Sequence, residues 1–194
     1  MADVYVVNTY REEVPSMRFI GIRYTRDDLI EGSYKEQWQE WFSTNRFERM
    51  EEAVGGSAAF HSLPDDMATS YAGLMRMPGT ASIGEDEHFE SFEYWIGRFV
   101  PEDTELPTTL KEDGLQTLDL PAGKLGIAWL KGTEDIIYGK EDQAWEALHE
   151  AGIVDMTETP FDETTAFFER YHAERFMNPD EEGRIILDIC FYID

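Results

Sequence analysis

Carboxylates placed among aromatic residues are the groups in this sequence best suited to chemistry. Glu169 stands between Phe168 and Tyr171, in a segment with the composition of a β-strand. A carboxylate enclosed by aromatic walls loses its hydration, and only a positively charged partner offsets that loss. In its neutral state such a group has a raised pKa and can act as a general acid or base. Glu169 is therefore a candidate counter-ion for a lipophilic cation, or a candidate catalytic residue.

Alternation along a strand decides which side chains share a face with Glu169. It places Tyr171 on the face of Glu169, and Arg170 and His172 on the other face. An acid beside a phenol is the composition of an aromatic cage for a cation. Two structural alternatives stay open at this point: a solvated Glu169 on the strand surface, or an ion pair with Arg170 or Arg175.

A second candidate strand, Phe89–Phe99, carries another acid beside an indole. Alternation groups Glu93 with Trp95, and Tyr94 with Ile96. Either pair could face a binding site while the other packs in the core, and the sequence does not choose between them.

The elements that would position these residues occur in the same order in both halves of the chain. β-Branched and aromatic runs predict strands, and apolar residues at helical spacing among charges predict helices. The first half has a strand over Met17–Thr25, a helix over Tyr34–Val54, and strands over Ser70–Met77 and Phe89–Val100. The second half has strands over Leu115–Leu120 and Lys124–Lys131, a helix over Asp142–Ala151, and strands over Phe167–Phe176 and Arg184–Ile193.

This order predicts an α+β fold with two pseudo-symmetric strand–helix–strand–strand modules. Each open sheet has an apolar face that needs a partner, which favours one domain over residues 1–194. Module one spans about 15–100 and module two about 115–194, separated by a polar stretch with two prolines.

Charge and composition exclude several classes of protein. The chain has 16 Lys and Arg residues against 41 Asp and Glu residues, a net charge of −25, which argues against direct nucleic-acid binding. No apolar run approaches the length of a membrane span, and the N-terminus lacks the features of a signal peptide, so we expect a cytoplasmic protein.

Metal and cofactor motifs are missing from the sequence. Cys190 is the single cysteine and the four histidines are far apart, so we expect no metal site. Gly55-Gly-Ser57 lacks the lysine of a phosphate-binding loop, and we expect no cofactor. The oligomeric state is left as monomer or dimer.

Five separated segments resemble the GyrI-like small-molecule-binding domain, in order and in spacing. They are Phe92-Glu-Tyr-Trp-Ile-Gly97, Leu118-Asp-Leu-Pro-Ala-Gly-Lys-Leu-Gly-Ile-Ala-Trp-Leu-Lys-Gly132, Ala144-Trp-Glu-Ala-Leu148, Phe168-Glu-Arg-Tyr171 and Leu187-Asp-Ile-Cys-Phe-Tyr-Ile193. The resemblance implies a pocket between two modules that binds lipophilic, often cationic, molecules, as in the effector domains of multidrug-sensing regulators. No helix-turn-helix is evident, so a stand-alone member is expected.

The resemblance also implies site residues and alternatives. The expected ligand-binding residues are Glu169, Tyr171, Trp95, Glu93, Asp188 and Trp129. Asp188 stands where the family usually has Glu. Some stand-alone members hydrolyse cyclopropane-bearing alkylating compounds, so one alternative is a hydrolase of strained electrophiles in which Glu169 and Glu93 are catalytic. Another alternative, suggested by the charge, is an acidic interaction protein that inhibits or shields a DNA enzyme.

Overall fold

The structure is a computed structural model that describes residues 3–77, 92–155 and 166–193 of the 194-residue chain. The strands of the described residues are Tyr5–Val14 (β1), Met17–Tyr24 (β2), Ser70–Arg76 (β3), Glu93–Pro101 (β4), Gln116–Leu120 (β5), Gly123–Thr133 (β6), Ala166–His172 (β7) and Arg184–Ile193 (β8). The α-helices are Lys35–Ser43 (α1), Arg46–Ala53 (α2), Asp65–Ala68 (α3), Thr108–Glu112 (α4) and Glu141–Glu150 (α5), with 3-10 turns at Arg26–Asp28 and Ser57–Phe60.

These strands form one antiparallel sheet in the order β1-β6-β8-β7-β3-β4-β2-β5. The order is symmetric about the boundary between β7 and β3, since β1, β2, β3 and β4 mirror β5, β6, β7 and β8. The predicted α+β fold with two pseudo-symmetric halves is confirmed.

The first strand of each half lies in the other half of the sheet. β1 pairs with β6, and β5 pairs with β2. β1 precedes the start expected for module one at about residue 15 and was not predicted as a strand; its residues are mostly exposed or half-buried. This exchange ties the two halves into one sheet.

Two short links force this sheet to curl: Pro15-Ser16 joins β1 to β2, and Pro121-Ala122 joins β5 to β6. β1 and β2 lie near opposite edges of the sheet, yet only Pro15 and Ser16 join them, and such a link spans at most about 11 Å. Val14 pairs with Gly123 while Met17 pairs with Leu120, so the two edges approach each other there. One face of the sheet is thereby enclosed.

Buried apolar side chains line the enclosed face, and the helices pack their own apolar side chains against the other face. Phe19, Leu74 and Phe168 are fully buried on the enclosed face. α5 packs over β1 and β6. α1 and α2 cover the other half of the sheet, where Phe47 stacks on Tyr71 of β3 with ring centroids 3.7 Å apart.

Some elements differ from the sequence prediction. The helix expected over Tyr34–Val54 is broken into α1 and α2, because Asn45 adopts a left-handed conformation with φ 49°. The strand expected to reach Phe176 ends at His172, and residues 89–91 of the expected Phe89–Val100 strand lie outside the described residues. Among the residues that the structure describes, no helix has the length and apolarity needed to cross a membrane.

Candidate functional site

Glu169 lies at the centre of the sheet, on the helix-covered face and at the boundary between the two halves. It is in β7, and its backbone pairs with Gly73 of β3. Its side chain is 6% exposed. Oε2 accepts hydrogen bonds from Tyr171 Oη at 2.7 Å and from Tyr94 Oη at 3.3 Å. A carboxyl group is therefore buried with two phenols as its neighbours.

Gly73 makes the contact between Tyr94 and Glu169 sterically feasible. Tyr94 is in β4 and Glu169 is in β7, so β3 runs between them. A Cβ atom at Gly73 would lie 2.5 Å from Tyr94 Oη and 3.2 Å from Glu169 Oε2. Only a residue without a side chain leaves space for this hydrogen bond across the strand.

Aromatic side chains from α1 and the segment before it complete the surroundings of the two phenols. Trp38 Nε1 donates to Tyr94 Oη at 3.0 Å, and the Trp38 ring lies 4.6 Å from the Tyr171 ring. Tyr34 stacks parallel to Tyr94, with centroids 4.3 Å apart. Because Tyr94 accepts from Trp38 and donates to Glu169, the three groups form one polarised hydrogen-bonded chain.

Burial is the largest influence on the pKa of the Glu169 carboxyl group. Desolvation raises the pKa of Glu169 to about 7, although the hydrogen bonds from Tyr171 and Tyr94 favour the ionised form. The nearby Glu141 at the start of α5 raises the pKa further. Burial and the neighbouring Glu169 carboxylate hold the pKa of both phenols well above its usual range, so both stay protonated donors. Among the described residues, no cation forms an ion pair with Glu169.

Glu93 and Trp95 lie on the opposite face of β4. The Glu93 carboxylate forms ion pairs with Arg76 at 2.6 Å and Arg23 at 3.1 Å, and it accepts from Trp95 Nε1 at 3.0 Å. These partners outweigh the effect of burial and lower the pKa of Glu93. Of the two arrangements that alternation allowed, the structure has Tyr94 on the face of Glu169.

Asp188 and Trp129 also lie on the enclosed face. Asp188 is fully buried, 2.8 Å from Nε of the fully buried Arg170 and 2.7 Å from Nη2 of Arg175. The Arg175 guanidinium lies 4.2 Å from the centroid of the Trp129 ring. The charge of Asp188 is therefore compensated by Arg170 and Arg175, on the face of the sheet opposite Glu169.

The structure thus brings together Glu169 and Tyr171 and leaves the other four expected site residues on the far face of the sheet. A hydrolase using Glu169 and Glu93 stays a prediction, and its two carboxylates do not share a cleft in this structure. Sequence reasoning did not single out Tyr34, Trp38 or Gly73 as site residues. A glycine inside a predicted central strand is the signal that could have found Gly73.

Within the described ranges, no cluster of three His, Cys, Asp or Glu residues is arranged to hold a metal ion.

Comparison with known proteins gives structural neighbours only. No family model matches the sequence, and no curated protein matches it. The solved structure of SAV2435 bound to tetraphenylphosphonium is similar with a TM-score of 0.58 and 12% identity, over 97% of this chain and 94% of that one. A putative transcription regulation protein from Staphylococcus aureus MU50 has a TM-score of 0.53 and 14% identity, over 97% and 99% of the two chains.

The C-terminal domain of EcmrR is a third neighbour, with a TM-score of 0.51 and 10% identity over 96% of this chain and 97% of that one. At this level of identity the likeness concerns the fold. These neighbours cover nearly the whole chain, and they confirm at the level of the fold the resemblance found in the sequence motifs. The chain has the GyrI-like fold.

Proposed function

We propose that this protein binds a lipophilic, cationic or aromatic small molecule in the cleft between its two halves, with Glu169 as the counter-ion. One observation carries the proposal: a carboxyl group buried among phenol and indole side chains has no cationic partner among the described residues. An isolated buried carboxylate is unfavourable, and a bound cation would compensate it. The similarly folded SAV2435, which was solved with tetraphenylphosphonium bound, supports the choice of ligand class.

The aromatic surroundings favour delocalised cations over small hydrated ones. Tyr34, Trp38, Tyr94 and Tyr171 supply ring faces and edges, which attract a cation through their quadrupoles and bury apolar ligand surface. A small inorganic cation would lose its hydration and gain few ligands in this cleft. A bulky organic cation, whose charge is weakly hydrated, loses less.

The test is calorimetric titration with three probes of related shape and different charge. Tetraphenylphosphonium is the cation, tetraphenylborate the anion of the same shape, and triphenylphosphine oxide a neutral relative. We expect binding of the cation, little or no binding of the anion, and weaker binding of the neutral compound. Glu169→Gln should weaken the cation at least about tenfold and leave the neutral probe within about twofold.

Glu146→Gln is the matched control, because it removes one negative charge from an exposed position on α5. It should change the affinity for the cation only slightly. Equal losses in the two variants, or equal losses of cation and neutral probe in Glu169→Gln, would contradict the counter-ion role.

A further inference from the structure

A cavity borders Tyr171, one of the two phenols that donate to Glu169. Its volume is about 550 Å³, within the range of small-molecule sites. Glu169 does not line it. α1, α2, the 3-10 turn after α2 and the segment after β7 surround it, and its lining includes Phe42, Glu51, Tyr71, Arg98, Tyr171 and Met177.

Aromatic and other apolar side chains supply most of the rim and walls of this cavity. Phe42 and Met177 are 45% and 41% exposed, so both leave apolar surface open to a ligand. Tyr71 and Tyr171 are register partners on β3 and β7 and present neighbouring rings. Phe42 extends this aromatic surface from α1, with its ring 5.9 Å from that of Tyr71.

A buried arginine lies at the base of the cavity. Arg98 is 5% exposed, and its guanidinium carbon lies 4.0 Å from the centroid of the Phe60 ring. Nη1 donates to Glu51 Oε2 at 2.6 Å, and Nη2 donates to the carbonyl oxygen of Ala68 at 2.6 Å. Nε is buried without a hydrogen-bond partner in the described part of the chain. The charge of Arg98 is compensated, while its hydrogen-bonding capacity is not exhausted.

We propose that this cavity is a second ligand site, selective for an uncharged aromatic molecule. Glu51 and Arg98 already neutralise each other, so neither offers a free counter-charge to a ligand with a net charge. The negative field of the protein further disfavours anions. A neutral aromatic molecule would bury the exposed surfaces of Phe42 and Met177 and stack on the tyrosines. This site is separate from the one proposed at Glu169 and does not depend on it.

The probe for the test is N-phenyl-1-naphthylamine, an uncharged aromatic amine whose fluorescence rises in apolar surroundings. It is titrated into the full chain alone and in the presence of saturating tetraphenylphosphonium. We expect one molecule of the amine to remain bound per chain when the phosphonium ion is saturating. Release of all the bound amine by the phosphonium ion would overturn the proposal, because the two compounds would then share one site.

Ala173→Phe fills the cavity from an exposed position, so the variant should fold. Ala151→Phe, at the exposed C-terminal end of α5, is the matched control. The first variant should weaken the amine at least about tenfold while the second leaves it within about twofold. Phe42→Ser removes part of the rim and should weaken the amine in the same direction. Unchanged affinity in both Ala173→Phe and Phe42→Ser would overturn the proposal whatever the phosphonium ion does at Glu169.

Discussion

At the scale of single residues, the molecule holds its buried carboxylates in two different ways. Asp188 and Glu93 have arginine partners, whereas the donors to Glu169 among the described residues are the phenols of Tyr94 and Tyr171, and the charged group of Glu141 is near it. Hydrogen bonds from neutral donors only partly replace lost hydration, so the proton is retained to a higher pH. This difference in partners distinguishes a candidate binding residue from residues that stabilise the core.

The proton on Glu169 makes cation binding pH-dependent. A cation binds the ionised carboxylate, and the pKa of this group is about 7 without ligand. The ionised fraction, and with it the affinity for tetraphenylphosphonium, should rise about tenfold between about pH 6 and about pH 8. The measurement is a calorimetric Kd series in buffers of different ionisation enthalpy, which also reports the proton released on binding. A flat affinity with no proton release would contradict the assignment.

Asp188 provides the contrasting case. Asp188→Asn removes the charge that faces two buried or half-buried guanidinium groups and should cost about 3 to 5 kcal/mol of unfolding free energy. Asp119→Asn is the control: Asp119 is 62% exposed beside Arg18, and its loss should cost within about 1 kcal/mol. Denaturant unfolding measures both values. Below its unfolding transition the Asp188→Asn variant should still bind tetraphenylphosphonium, and a selective loss of binding would instead restore Asp188 as a ligand residue.

At the scale of the elements, the site depends on a residue without a side chain in β3, a central strand of the sheet. β3 separates Tyr94 from Glu169, and only Gly73 at their level lets the side chains meet. The requirement for glycine at position 73 thus comes from the side chains of the two strands that flank β3, and not from the local backbone conformation of β3.

Gly73→Ala should disturb this arrangement. The added methyl group would collide with Tyr94 Oη, so we expect a loss of about 1 to 3 kcal/mol in unfolding free energy and weaker cation binding. Gly126→Ala, in β6 of the same sheet, is the control because its nearest contacts are flexible side-chain ends at 3.3 Å or more. Thermal unfolding and phosphonium titration of both variants give the comparison. Equal stability and equal phosphonium binding of the two variants would show that the space left by the missing side chain at Gly73 is not needed.

Strand alternation predicted that Glu169 and Tyr171 share a face opposite Arg170, and the structure has this arrangement. Strand alternation shows which residues share a face, but not which face points toward a given neighbour. It therefore could not decide which side of β4 lies on the side of Glu169. It also contains no information on pairing between distant strands. The register of β3 against β7, which places Gly73 opposite Glu169, and the exchange of β1 and β5 arise from such long-range pairing.

At the scale of the whole molecule, the net charge of −25 acts on any ligand before it reaches the cleft. A field of this size attracts organic cations and repels anions and nucleic-acid backbones, and salt screens it over about 10 Å at 0.1 M. The buried site at Glu169 is screened much less than the surface. Local and long-range attraction should therefore respond differently to salt.

The dependence of the affinity on salt separates the long-range attraction of the acidic surface from the local attraction of Glu169. Raising the ionic strength from about 0.02 M to about 0.5 M should weaken tetraphenylphosphonium several-fold, mainly through a slower association rate, and leave N-phenyl-1-naphthylamine unchanged. Glu169→Gln should lower the affinity at every salt concentration yet keep nearly the same slope, because it removes one of 41 acidic residues. Stopped-flow association kinetics with both probes measure the slopes. If Glu169→Gln abolished the salt dependence, the attraction would be local to the cleft, and the acidic surface would have no part in ligand capture.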